Sequence, residues 1–261
     1  MRKYLAFFTA EWQQALNYRP EAFVWFILEF IPLVVMLNLS DYLKTSGRLT
    51  HSQYSQLVLY FVINLFISRL SSIHFEDNLI DDIKDGKISP SLLKPFSFFW
   101  HLLPREATWR LAGLMYLLPS MLVIWPLIKS LEYPKLLPAN LIIVVLFLAI
   151  AFLQRFFLAW IISIPAFWID QSKALVHFKW MAEGIFGGAW LPLYLFPSWW
   201  QNLARHTPFY YWFYFPAQVL LGNVTEFLTP LILSSAWMIM LYFLASKFWH
   251  KAIRYYSSVG G

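Results

Sequence analysis

The chain has 261 residues, 59% of them hydrophobic and only 13% charged; an average soluble domain carries roughly 25% charged residues, so a water-soluble globular protein is excluded. Cysteine is absent, which removes disulfides and thiol catalysis. The net charge of +6 comes from Lys and Arg scattered between apolar stretches, a cytoplasmic-leaflet bias rather than a nucleic-acid patch.

The predicted elements begin with an amphipathic helix. Leu5, Phe8, Trp12 and Leu16 recur at helical spacing, while Lys3, Gln13, Gln14 and Asn17 point elsewhere. Such a helix, within residues 1–19, lies in the membrane interface rather than across it. The same polar residues interrupt the apolar run too early for a cleavable signal peptide. A bilayer crossing takes roughly 20 apolar residues. Spans are predicted over residues 22–39 and 54–73, with Asn38 and Asn64 as helix-to-helix hydrogen bonds.

The longest polar stretch follows, residues 75–95, FEDNLIDDIKDGKISPSLLKP. Leu79, Ile80 and Ile83 form one narrow apolar face, and Asp77, Asp81 and Asp85 lie on another. Gly86 is suited to the left-handed position after a helix. Ser89 and Pro90 then read as N-cap and first residue of a second short helix, with Leu92 and Leu93 to bury and Pro95 ending it at Lys94. No His or Cys completes a ligand set with these acids, so the reading is a solvated handle for a soluble partner rather than a metal site.

Further spans are predicted over residues 111–128, 141–164, 174–196 and 228–248. Residues 197–225 are broken by Pro197, Pro208 and Pro216 and crowded with Trp and Tyr, the composition of a membrane interface. They read as a helical hairpin dipping into the outer leaflet. Six crossings put both termini on one side. With the termini inside, fourteen of the 20 Lys and Arg face the cytoplasm, so the polar handle is cytoplasmic.

Glu29, Arg155 and Glu183 fall at membrane depth, all on the order of 13 Å from the inner end of their spans. Charges there pair or face a cavity. Arg155 is therefore expected to pair with Glu29 or Glu183 as a staple between helices. The chain contains no phosphate-binding GxxxxGK[ST] loop and no GxSxG or HExxH constellation, so it is not expected to be an enzyme or to bind ATP itself.

Four stretches in order carry a resemblance. Residues 83–95, IKDGKISPSLLKP, with an Ile, a Gly and a Leu-Leu-basic-Pro ending, resemble the cytoplasmic loop of bacterial ABC transporter permeases of the type-two (ABC-2) exporter superfamily. Residues 195–222, with FPSWW, TPFYY, FPAQ and LLG, resemble their outer hairpin, and residues 254–261, RYYSSVGG, resemble the C-terminus of one bacterial subgroup. The amphipathic N-terminus completes the likeness, which covers essentially the whole chain.

The resemblance implies an all-α polytopic permease, one transmembrane domain over residues 1–261, in the bacterial cytoplasmic membrane with both termini cytoplasmic. Residues 1–19 would be the interfacial connecting helix, 75–106 the coupling region and 197–225 the outer hairpin. Asp81, Asp82, Ile83, Lys84, Asp85, Gly86, Pro90, Lys94 and Pro95 would form the element that docks on an ATPase. It further implies two ATP-binding cassette subunits, which carry the ATP and Mg, and a second permease copy or a sister permease. Cargo would pass between the two permeases, lined by spans one, two and five. Apolar spans suit an amphiphilic, lipid-like, drug-like or peptide cargo leaving the cytoplasm or inner leaflet. With 25 Phe, 14 Trp and only nine Gly, that path is expected to be narrow or closed at rest. The alternatives are a secondary transporter, which calls for internal repeats that the sequence does not show, and a membrane scaffold without an ATPase.

Overall fold

A computed structural model describes residues 9, 12–13, 19–93, 98–132, 137–254 and 256. Apart from Thr9, Trp12 and Gln13, which are helical, the predicted interfacial helix lies outside the described residues, as do Lys94, Pro95 and the side chain of Glu29. Among the described residues, ten α-helices with defined bounds and three short 3-10 turns occur, and no strand. Among the same residues, three stretches, His51–Lys84, Pro138–Phe167 and Leu228–Ala252, are long and apolar enough to cross a membrane.

Helix α1, Arg19–Thr45, carries Pro32 in its interior. It packs along α2, His51–Ser71, which opens with a capping box: the Thr50 side chain accepts from the Gln53 amide and Gln53 reaches back. The predicted polar handle is α3, Glu76–Lys84, then a turn, then the single-turn α4, Ser89–Leu92. Two details differ from the sequence reading. Ser89 does not cap α4; Ile88 holds that position without a side-chain cap, and the Ser89 hydroxyl turns back to the Gly86 carbonyl. Leu93 stays 87% exposed while Leu92 packs inward.

Helix α5 runs Phe98–Lys129, beginning well before the predicted residue 111 and continuing through Pro104, Pro119 and Pro126. A proline inside a helix costs about 3 kcal/mol or more. At this end the cost is offset by burying Phe98 and Leu102, at roughly 1.5–3 kcal/mol each. The Phe98 ring stacks on Trp249, 5.3 Å between centroids, and Trp160 closes the same cluster 4.8 Å from Trp249.

Helix α6, Pro138–Ser163, is the centre of the fold and touches α2, α3, α9 and α10. A 3-10 turn, Ile164–Phe167, follows it. Helix α7 is Ala174–Phe186, so the predicted span over 174–196 stops ten residues early. The cause is tertiary. Gly188 takes φ +74°, a region that L side chains rarely adopt. Its carbonyl accepts from the buried Tyr60 hydroxyl at 2.6 Å, and the Tyr214 amide bonds the Gly187 carbonyl at 3.1 Å. The chain is thereby turned back on itself. It continues as a 3-10 turn Leu193–Leu195, α8 Ser198–Arg205, a 3-10 turn Pro208–Tyr211 and α9 Tyr214–Leu220. Each break coincides with a proline or an aromatic anchor. Helix α10, Leu228–Ala252, packs along α6 in the most extensive helix pair of the structure.

Candidate functional site: an exposed charged helix tied to buried ion pairs

Helix α3 divides its residues as an amphipathic helix must. Leu79, Ile80 and Ile83 are buried among Phe75, Phe156 and Trp160, while Asp81, Asp82 and Asp85 face out. Ile83 is therefore a packing residue rather than part of an outward docking surface. Gly86 ends the helix with φ +71°, and its amide bonds the Ile83 carbonyl at 3.3 Å. The exposed surface comprises Asp81, Asp82, Asp85, Lys87, Pro90 and Leu93.

Surface charges orient this element. Lys173 bonds Asp81 at 2.7 Å, and Lys84 donates to the Asp170 carbonyl. The hydrogen bond from Lys173 to Asp81 holds the lysine above its ordinary pKa. Lys87 lies 2.6 Å from Asp85, and that hydrogen bond holds the Asp85 carboxyl below the usual range. Exposed pairs of this kind add little to stability because water screens them; their effect is to orient.

The inner link is different. Glu76, the first residue of α3, is fully buried and bonds Lys179 of α7, itself buried. Lys179 Nζ lies 3.7 Å from Glu183 Oε1, one turn on. Glu183 Oε2 accepts from Arg155 Nη2 at 2.7 Å, and Arg155 Nη1 donates to Ser71 Oγ at 2.9 Å. The Arg155 guanidinium also lies over Phe213, 4.9 Å from the ring centre. Two acids and two bases thus run unbroken from the root of α3, through α7, to the middle of α6. Charges removed from water persist only when paired in this way.

The sequence reading placed Glu183 and Arg155 at one depth, and the structure brings those two together. It singled out neither Glu76, counted only among the acids of the polar handle, nor Lys179, counted only among the cytoplasmic lysines. The available signal was the i,i+4 spacing of Lys179 and Glu183, which puts both on one helix face.

Beyond the relay lies a cavity of about 410 Å³. Its apolar walls include Leu33 and Met36 of α1, Phe61 of α2 and Trp180 of α7, and Arg155 and Glu183 supply its polar end. Asn64 lines it too. This residue is 6% exposed, and neither amide atom has a hydrogen-bond partner. The predicted helix-to-helix bond of Asn64 is therefore not made. Asn38 likewise turns to the Val34 carbonyl of its own helix.

Comparison with known families decides the class. The model of the ABC-2 family transporter protein matches residues 23–260. The chain belongs to the ABC-2 transporter family. No curated protein and no solved structure matches it. An ABC-2 protein is the integral membrane component of a transporter, is generally not catalytic itself, and partners with an ATP-binding component. In this ABC-2 protein the relay joins a charged, exposed helix to the wall of the cavity.

Proposed function

We propose that the chain is the permease subunit of an ATP-driven exporter, with α3 and the turn after it as the element that docks on the ATPase. The reading includes six crossings with both termini in the cytoplasm, an outer-leaflet hairpin over residues 197–225, and pairing with a second copy or a sister permease. ATP and Mg belong to the two ATPase subunits. The cavity between α1, α2 and α7 serves as this subunit's share of the path for an amphiphilic cargo.

The observation that carries the reading is the construction of α3. A loop that only joins two helices needs neither a buried apolar face nor a buried ion pair at its root. This one has both, and its polar face remains open. Force applied there is delivered through Glu76 to Lys179 and on to Glu183 at the cavity wall. A secondary transporter or a scaffold gives no reason for such a lever.

Copurification from native membranes tests this. The variants are Asp82→Lys and Leu93→Asp, chosen because both side chains are exposed and do not hold the fold. The expected result is that an ATPase accompanies the wild type and is lost from the variants, which remain folded in the membrane. If the wild type brings no ATPase under conditions that preserve membrane complexes, the permease reading falls.

A further inference from the structure

Tyr256, four residues past α10, makes contacts that neither the relay nor the docking surface uses. Its hydroxyl lies 2.9 Å from the Gly86 carbonyl oxygen and 2.5 Å from Ser89 Oγ. Ser89 Oγ is itself 3.0 Å from the same carbonyl. Each hydroxyl has one proton to donate. Either Tyr256 donates to Gly86 and receives from Ser89, or Tyr256 donates to Ser89 and Ser89 to Gly86. In both arrangements two hydrogen bonds close a ring on the carbonyl of the residue with positive φ. The tyrosine ring is held in place edge-on to Phe167, 5.9 Å between centroids.

Gly86 is the elbow between α3 and α4, so its backbone angles set where Pro90 and Leu93 point. Without Tyr256, the hydrogen bonds left at the elbow are local, from the Gly86 amide to Ile83 and from the Ser89 amide and side chain to Gly86, and only the packing of Ile88 and Leu92 ties it to the core. A four-residue helix such as α4 is too short to hold a direction by itself. The geometry points to Tyr256 as a latch: the segment after α10 locks the Gly86 elbow, and so sets the pose of residues 86–93 that the ATPase meets. This inference rests on the docking role proposed for α3. Tyr256 acts as a positioning residue, and its hydroxyl carries the effect while its ring supplies the anchorage. It also ties the segment after α10 to the docking element, independently of the relay, which runs through α7 to α6.

Two measurements test the latch. The first needs no partner: amide hydrogen exchange of the purified full-length protein in nanodiscs, compared with Tyr256→Phe, which keeps the ring on Phe167. Exchange at Ser89 and Leu92 is expected to rise several-fold in the variant, with exchange in α6 and α10 unchanged. Equal exchange at Ser89 and Leu92 overturns the latch, whatever the docking role of α3. The second is the affinity of the ATPase that copurifies with the wild type, measured for Tyr256→Phe, Ser89→Ala and the double variant. Loss of one such hydrogen bond corresponds to a weakening of roughly three- to tenfold. Because the two hydroxyls act as one ring, the double variant is expected to bind no more weakly than the weaker single variant. Additive losses, or wild-type affinity in Tyr256→Phe, refute the inference. Failure of the wild type to bind any ATPase instead removes the docking reading and the latch's role in it.

Discussion

Replacing Lys179 with Met is the sharpest test of the relay. Methionine is close to the lysine stem in length, so the apolar packing survives and the ammonium is lost. That ammonium lies between Glu76 and Glu183, and all three side chains are buried. Removing one partner of a buried ion pair costs about 3–5 kcal/mol, because the other charge is left without compensation. Glu183 keeps Arg155 at 2.7 Å, so the orphan is Glu76. At about 2–4 °C per kcal/mol for a chain of this size, the loss corresponds to roughly 6–20 °C in thermal denaturation of the detergent-purified protein. Adding Glu76→Gln removes the orphaned charge. The double variant Lys179→Met with Glu76→Gln is expected to recover most of the loss, since exchanging a whole buried pair for neutral groups is often close to neutral. If Lys179→Met melts within about 2 °C of the wild type, or if Glu76→Gln adds to the damage, the four charges do not act as a buried unit and the argument for a relay fails.

Arg155→Lys is expected to destabilise by about 1.5–3 kcal/mol, the range for a hydrogen bond to a charged group. One ammonium cannot reproduce the fork that reaches Glu183 and Ser71 together, and denaturation of the purified variant measures the loss. Gly188→Ala strains a residue at φ +74° and brings a methyl to 2.7 Å from the Tyr60 hydroxyl. The backbone part alone costs roughly 1–2 kcal/mol. Tyr60→Phe removes the clash but not the backbone strain, so Gly188→Ala should lower the melting temperature less in a Tyr60→Phe background than in the wild type. For pH, the folded-state pKa of Asp85 is depressed by Lys87. The contribution of that pair is present above the ordinary carboxylate range of about 4. It is lost only as pH falls through the lowered value. Lys87→Ala should therefore raise the Asp85 midpoint in a carboxyl NMR titration, and an unchanged midpoint excludes the pair.

Much of this protein was legible in one dimension. Bilayer solvation demands about twenty apolar residues per crossing, so composition alone set the class, and the starts of α2, α6 and α10 follow the sequence reading to within a few residues. Local chemistry was equally readable in the handle. The periodicity of Leu79, Ile80 and Ile83 foretold the buried face, and Gly86 the break, because both depend on residues within one or two turns. Arg155 and Glu183, set at one height by helical rise along their predicted spans, are paired in the structure.

What only the tertiary structure decided depends on groups far apart in the chain. The early end of α7 carried a local signal, Gly187 and Gly188 with Pro192 beyond, but where the chain then turns depends on Tyr60 and Tyr214 meeting the Gly188 and Gly187 carbonyls. The early start of α5 depends on Trp160 and Trp249 receiving Phe98. Glu76 looked like one more solvated acid until the fold buried it against Lys179. The same holds for Tyr256, whose contact with Gly86 spans 170 positions. A carboxylate or hydroxyl carries no mark of its partner in the sequence; burial makes pairing obligatory, and burial is a property of the assembled helices.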